Sequence, residues 1–256
     1  MSKSQKVELE KANLEEGILS LKDLFKKWKD QHENECYENY KKYYESGYIP
    51  QKTFFPDGIV DENNSDVNKI LFIAKESATF EEEYTEEKCK EIAENPEFWL
   101  QNVVCGTGDG TKFSSRLAML INAYNNKNYE DVDKNPESLK NCSFMNLNKR
   151  GGYTCCNKKT LNGYVNTYSN YIKREIEIIN PDIIVCCGNL VKHLLDKFVF
   201  ENGNEKVVIA GPEVTVSVAD KEVKVVTIYH PSCYFISDTG YLEQFRCAVE
   251  GEMWNK

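Results

Sequence analysis

Four short, continuous apolar runs separated by amphipathic segments constrain the fold of this chain most. The runs are KILFIA (69–74), CSFMNL (142–147), IIVCCG (183–188) and EVKVVTIY (222–229). Runs of this length are typical of strands that are buried on both faces of a parallel sheet. The segments between and after them have helical periodicity: SSRLAMLINAY, YSNYIKREIEIINPD, NLVKHLLDKF and GYLEQFRCAVEGEM. The alternation predicts an α/β fold of three layers, in which helices cover both faces of a central, mostly parallel four-stranded sheet (α/β/α).

A helical extension is expected before this core. Leu24, Phe25 and Trp28 recur at helical spacing within residues 5–47, and the proline-containing stretch YIPQKTFFPDGIVDENNSD then interrupts the pattern. We therefore divide the chain into an N-terminal helical extension over 1–65 and an α/β domain over 66–256. An extra hairpin is expected within residues 206–226.

Polar residues follow each predicted strand. Open parallel sheets bind ligands outside the carboxyl ends of their strands, which here are AKESA, NLNKRGG, GN and HPS. The last of these contains His230, one of only three histidines in the chain. Its position at the end of an apolar strand predicts a role in a site at this edge of the sheet.

Side chains at these strand ends suggest a chemistry. Glu76 can act as a general base or orient a water molecule. Asn146 interrupts an apolar strand, and a buried carboxamide must be paired, either by the backbone or by the edge of an amide-like heterocycle. His230 can donate to an oxygen that gains negative charge. Phe113 can stack on a flat ring, and Ser232 with its neighbouring amides can hold a phosphate.

Each of these residues also has a simpler interpretation. Glu76 can be one more solvated acid in an acidic stretch, Asn146 can be structural, and Phe113 can belong to the core. Of the other histidines, His193 falls on an amphipathic helix and is expected at the surface or in packing. His32, in the polar segment KDQHENE, is expected to be solvated.

Charge is distributed unevenly along the chain. The net charge is −9, and all of it lies in residues 1–97, where 14 basic and 23 acidic side chains give 14 − 23 = −9. The window 138–174 contains no Asp or Glu. It carries seven basic residues: Lys140, Lys149, Arg150, Lys158, Lys159, Lys173 and Arg174. A local basic surface of this kind can attract a polyanion even on an acidic protein, although composition alone favours an ordinary solvated loop.

Composition also bears on compartment and metal content. The chain has no apolar run long enough to span a membrane, and its first residues, MSKSQKVELEKANLEE, do not form a secretory signal. We expect a cytoplasmic protein whose ten cysteines are reduced thiols. No Cys-x-x-Cys pair is present, and the adjacent pairs Cys155–Cys156 and Cys186–Cys187 have poor spacing for zinc. We therefore expect no metal site.

Five segments in order resemble the uracil-DNA glycosylase superfamily. They are ILFIAKESATFEEE, GTKFSSRLAMLINAY, FMNLNKRGG, INPDIIVCCGNLVKHLL and YHPSCYF, which together cover about residues 66–250. In that family, a first strand ends in a motif with an acid or its replacement, a later strand carries an Asn, and the last strand ends in His-Pro-Ser before a DNA-contacting loop. The resemblance implies a DNA N-glycosylase that needs no cofactor and acts on single- or double-stranded DNA.

The resemblance also implies roles for individual residues. His230 would stabilise the anionic oxygen of the departing base, and Glu76 would stand where several members carry a water-activating Asp or Asn. Asn146 would bind the base edge and Phe113 its face. The remaining implied contacts are Lys75 and Ser77 beside the sugar, Pro231 and Ser232 at the DNA backbone, and the basic residues Lys149, Arg150, Lys158 and Lys159 at phosphates.

Three departures from the family pattern affect what the resemblance implies. The first motif, AKESA, lacks the usual Gly and Pro, and Glu76 is one methylene longer than Asp. Arg150 follows Lys149 where iron–sulfur members carry a cysteine, so no cluster is expected. Uracil is the default substrate; the alternatives are a damaged or modified base, including hypermodified phage bases in antiviral defence, and a catalytically weak member that binds DNA or a nucleotide. A monomer is expected.

Overall fold

The computed structural model describes residues 11–14, 17–34, 54–60, 70–78, 87, 111–152, 156–201 and 214–254. Its centre is one sheet of six strands. In chain order these are β1 (Gly58–Ile59), β2 (Ile70–Ala78), β3 (Ser143–Gly152), β4 (Ile183–Cys187), β5 (Val214–Val218) and β6 (Lys221–Ile228). Their order across the sheet is β1-β3-β2-β4-β6-β5.

The predicted four-stranded sheet is the parallel centre of this larger, mixed sheet. Strands β3, β2, β4 and β6 are parallel neighbours in that order. Strand β1 pairs antiparallel with β3 at one edge, and β5 pairs antiparallel with β6 at the other. The strand count was wrong because β1 has only two residues and the expected hairpin, formed by β5 and β6, joins the same sheet.

Helices pack on this sheet. They are α1 (Leu21–Asn34), α2 (Lys112–Asn126), α3 (Lys158–Thr167), α4 (Ser169–Ile179), α5 (Asn189–Phe198) and α6 (Asp238–Glu250), with a 3-10 helix at Pro136–Asn141. Of these six helices, the sequence predicted all except α3. Among the described helices, none combines the length and apolar composition needed to span a membrane.

Two apolar layers cover opposite faces of the sheet. Alternate residues of a strand point to opposite sides, so Leu71 and Ile73 of β2 face the layer of α1, α3, α4 and α5. Phe72 and Ala74 face the layer of α2 and α6. The site described below lies on the side of α2 and α6.

The N-terminal segment contributes to the same core. Leu24 and Trp28 of α1 are fully buried and pack in one apolar layer with residues of β2 and β3. His32 is also fully buried, and its Nε2 lies 2.8 Å from the Tyr164 hydroxyl of α3. The expectation of a solvated His32 was therefore wrong. The described residues on both sides of position 65 share one core, and the domain boundary there stays a prediction.

Candidate functional site

At the carboxyl edge of the sheet, strand β4 ends before its neighbour β2. It ends at Cys187, which pairs with Ile228 of β6. Ile73 of β2 pairs with Cys186, so Ala74 is level with Cys187. Strand β2 continues beyond this level, and the chain after β6 does the same. The end of β4 therefore forms the floor of a notch between β2 and β6.

Two predicted catalytic residues stand on either side of this notch. Glu76 follows Ala74 by two positions, and His230 follows Ile228 by two. Both residues therefore lie two positions beyond the row formed by Ala74, Cys187 and Ile228, which is the floor of the notch. Strands β2 and β6 are separated by β4, a distance of about 10 Å. Gly188, at the turn after β4, has φ +117°, and a Cβ there would meet nothing within 4 Å. The floor of the notch is therefore open at Gly188.

His230 is arranged as a neutral donor. The backbone N–H of Ser232 donates to its Nδ1 at 3.3 Å, so the proton of the neutral ring is on Nε2. Burial, together with the positive charge of Lys75, lowers the pKa of His230 to about 4. At neutral pH the imidazole is therefore uncharged and presents an N–H.

Phe113 lies beside His230. It is the second residue of α2, whose first turn is capped by Thr111, with the Ser114 N–H donating to Thr111 Oγ1 at 3.3 Å. The Phe113 ring centroid lies 5.6 Å from that of His230 and 5.8 Å from that of Phe144. The structure thus brings together the predicted stacking ring and the predicted donor.

Arg116, which the sequence analysis did not select, fixes the loop that follows His230. Its guanidinium donates to the carbonyls of Pro231 at 3.0 Å, Cys233 at 2.8 Å and Ile236 at 2.6 Å. Its Nε donates to Asp238 at 2.9 Å. Arg116 is 1% exposed and lies one helical turn after Phe113, so one helix holds both the ring and the loop.

Glu76 is held by a second group of side chains. Asn148 of β3 donates from Nδ2 to Glu76 Oε2 at 3.0 Å, and the Cys156 thiol donates to the same carboxylate. Burial raises the pKa of Glu76; the two hydrogen bonds and the charge of Lys75 oppose this rise. Burial, together with Glu76, raises the pKa of Cys156 to about 12. The thiol is therefore protonated and serves as a donor.

Asn146 lies in the middle of β3, where it pairs with Ala74 of β2. It is 5% exposed, and its backbone N–H donates to Asp57 Oδ2 at 2.6 Å. Strand alternation places Asn146 on the same face as Phe144 and Asn148. It is therefore on the side of the sheet that carries Phe113.

Lys75 and Ser77 lie on β2 on either side of Glu76. Lys75 is partly buried, and its charge acts on Glu76, His230 and Cys156. The side chain of Ser77 lies outside the described residues. The predicted contacts of both with the sugar stay predictions.

The predicted DNA contacts fall into two groups. Ser232, Lys158 and Lys159 are exposed, the two lysines in the first turn of α3. Pro231 is buried, and its carbonyl is bound by Arg116, so it shapes the loop instead of contacting a DNA backbone.

The assignments of Lys149 and Arg150 to phosphates were wrong. Both side chains are fully buried. Lys149 pairs with Asp57 and, at 3.0 Å, with Glu175 Oε1. Burial raises the pKa of Glu175 well above its usual range, and Asp57 adds to the rise against the effect of Lys149.

Arg150 instead lies over the aromatic rings of α3. Its guanidinium carbon is 5.0 Å from the Tyr164 ring centroid and 5.7 Å from that of Tyr168, which begins the turn into α4. Burial lowers the pKa of Arg150 to about 10. These two basic residues were misplaced because β3 continues through them, whereas the sequence analysis ended the strand at Leu147.

Asn148 and Cys156 were missed for related reasons. Asn148 is two positions after Asn146 on the same strand face, so a longer strand would have indicated it. Cys156 reaches Glu76 through the fold alone, and nothing in its local sequence indicates this contact. Within the described part of the chain, no three His, Cys, Asp or Glu side chains are grouped to hold a metal ion. No protein-family model and no curated protein sequence matches this chain.

Proposed function

We propose that this protein is a DNA glycosylase of the uracil-DNA glycosylase superfamily, which hydrolyses the N-glycosidic bond of a flipped-out uracil or modified base. The observation that carries the proposal is the neutral imidazole of His230, with its proton on Nε2, next to Phe113 and across the notch from Glu76. A donor, a flat apolar ring and a carboxylate are the groups that this hydrolysis needs.

The reaction divides between the two sides of the notch. Cleavage of an N-glycosidic bond leaves negative charge on a base oxygen and oxocarbenium character on the sugar. The His230 Nε2–H stabilises the leaving base as its charge develops. Glu76, on the other side, aligns a water molecule and accepts its proton as the water attacks the sugar.

The surrounding residues bind the substrate. Extruding a base from a duplex costs a few kcal/mol, and stacking on an aromatic ring recovers part of this cost. Phe113 supplies that ring, and Asn146 recognises the base edge. Ser232, Lys158 and Lys159 are the exposed groups available to the phosphates on either side of the flipped nucleotide.

Incubation with oligonucleotides tests the proposal. Single- and double-stranded DNA containing uracil, or one of a panel of damaged and hypermodified bases, is incubated with the protein and treated with alkali to cleave abasic sites. We expect strand cleavage at one of these bases. Cleavage only at hypermodified phage bases would indicate antiviral defence, and tight DNA binding without base release would contradict the enzymatic proposal in favour of a binding protein.

Variants test the assigned roles in the same assay. His230→Ala and Glu76→Gln should each lower the rate by at least about tenfold, because each removes a group that acts in the transition state. His193→Ala and Glu130→Gln are matched controls at exposed positions and should retain the wild-type rate. Wild-type rates in His230→Ala and Glu76→Gln would refute the roles.

A further inference from the structure

The side-chain amide of Asn148 can adopt only one orientation. Its Oδ1 accepts the backbone N–H of Arg150 at 3.0 Å, and a backbone N–H can only donate. Its Nδ2 therefore faces Glu76 Oε2, at 3.0 Å, as a donor. Asn148 is 1% exposed, so no bulk water competes for these hydrogen bonds.

We infer that Asn148 is a positioning residue that fixes the Glu76 carboxylate and keeps it ionised as the base of the proposed glycosylase. An N–H donor stabilises a carboxylate more strongly than a carboxylic acid. The bond also holds one oxygen of Glu76, Oε2, and thereby fixes the orientation of the whole carboxylate, including its second oxygen. This inference rests on the proposed function for the reaction, but the effect on Glu76 itself can be measured without it.

Several other groups act on the same carboxylate. From β2, the positive charge of Lys75 favours the ionised form, and the Cys156 thiol donates a second hydrogen bond. Lys158 at the start of α3 acts on Cys156, and His230 is neutral across the notch. Burial opposes ionisation and is the largest single effect on Glu76. Asn148 is the neutral donor that counters it from within the sheet.

Nuclear magnetic resonance of the unmodified protein is the first test. The side-chain carboxyl carbon of Glu76 is followed through a pH titration, together with the side-chain amide of Asn148. We expect the Asn148 amide signals to move with the same midpoint as Glu76, because the hydrogen bond changes when the carboxylate is protonated. Asn148 signals that do not respond to the titration of Glu76 would overturn the inference.

Two substitutions provide the second test. In Asn148→Asp a like charge replaces the donor, and the pKa of Glu76 should rise by about one unit or more. In Asn148→Ala it should rise by less. The matched control is Asn128→Asp, which adds the same charge at an exposed position and keeps an acceptor for the Glu130 N–H. Asn128 lies just past the end of α2, whose last residue is about 20 Å from Phe113 along the helix axis. An unchanged Glu76 pKa in a folded Asn148 variant would overturn the inference.

Kinetics distinguish the two proposals. On a DNA substrate, the acid limb of kcat/KM should move to higher pH in Asn148→Ala, together with the Glu76 pKa, and should not move in Asn128→Asp. A structural role alone would lower the rate without moving this limb. If the magnetic resonance results are as expected but no base is released from DNA, the role of Asn148 toward Glu76 stands and the glycosylase function fails.

Discussion

His230 shows how two local features can set the tautomer and the charge of one side chain. The backbone N–H at Ser232 fixes the tautomer, and burial keeps the ring uncharged. A charged imidazole would bind an anionic base more strongly. A neutral one donates a hydrogen bond without the cost of burying a positive charge beside Lys75.

This arrangement predicts a pH-dependent stability. In the unfolded chain His230 binds a proton near pH 6.5, whereas the folded protein binds it only near pH 4. As pH falls from 6.5 to 4, the unfolded state holds the extra proton and the free energy of unfolding falls, by up to about 3 kcal/mol. Urea unfolding of wild type and His230→Gln across this range measures the difference.

His230→Gln should lose less stability than wild type over that range, since the carboxyl groups are common to both proteins. His193→Gln, at an exposed position, is the control and should behave as wild type. Parallel stability curves for wild type and His230→Gln would contradict the buried, neutral state of this ring.

The sequence located His230 correctly just past the end of β6, because the apolar run ends there. It placed Glu76 near the correct edge of the sheet but past the end of its strand, whereas β2 continues through Glu76 to Ala78. It misjudged Lys149 and Arg150, since a charged pair is normally a sign of solvent. Both lie on a strand whose polar side chains find partners inside the protein. Only tertiary contacts reveal such pairing, because Asp57 and Glu175 are distant from Lys149 in the chain.

At the scale of elements, helix α2 and the loop between β6 and α6 form one unit. The Arg116 guanidinium binds three loop carbonyls and Asp238, and it lies 4.6 Å from the Tyr241 ring centroid. A guanidinium has enough donors in a planar arrangement to do this, whereas an ammonium group does not.

Arg116→Lys should therefore weaken this unit. We expect the free energy of unfolding to fall by about 2–4 kcal/mol, because buried carbonyls lose their donor, and the rate of base release to fall with it. Chemical denaturation measures the first effect. Lys134→Ala removes only the exposed partner of Asp238 and should cost less than about 1 kcal/mol; equal losses in both variants would contradict the role of Arg116.

Helix α1 is part of the core and can be tested with two leucines. Leu24 is 0% exposed and Leu19, just before the helix, is 80% exposed. Leu24→Ala should lower the free energy of unfolding by about 2–5 kcal/mol, whereas Leu19→Ala should change it by less than about 0.5 kcal/mol. Thermal or urea unfolding distinguishes the two, and a small loss in Leu24→Ala would indicate an independently attached helix.

The elements themselves were largely predictable from periodicity. The buried strands and most helices have clear apolar patterns. Helix α3 was missed because its first turn, with Lys158 and Lys159, is fully polar and follows a glycine-rich segment. The continuation of β2 and β3 was missed because most of the residues at their carboxyl ends are polar. The two strands continue because they pair with each other there, as Glu76 does with Asn148.

At the scale of the whole molecule, the sequence predicted the parallel centre of the sheet and the edge at which polar groups collect. It did not predict β1, which is too short to have a pattern, and it expected the hairpin that contains β5 without placing that strand in the sheet. Charge matters at this scale as well. Because the net charge is −9, the proposed binding to DNA requires a local basic surface that offsets the long-range repulsion.

The salt dependence of DNA binding tests that surface. Each phosphate contact adds about 0.9 to the slope of log affinity against log salt. Lys158→Ala and Lys159→Ala should each reduce the slope by about that amount on duplex DNA, as measured by fluorescence anisotropy at several salt concentrations. Lys22→Ala, exposed on α1, is the control, and equal slopes in all four proteins would place the DNA elsewhere.

The position of Arg116 has a consequence for how the site can diversify. Helix α2 carries Phe113, and through Arg116 it also binds the loop after His230. The Phe113 ring and the His230 imidazole therefore form one side of the site, and a shift of one moves the other. In the proposed glycosylase, a change in the size of the accepted base would therefore come from the opposite side of the site, which is built by Glu76, Asn146 and Asn148. Selection for a new substrate would leave its marks on β2 and β3 first.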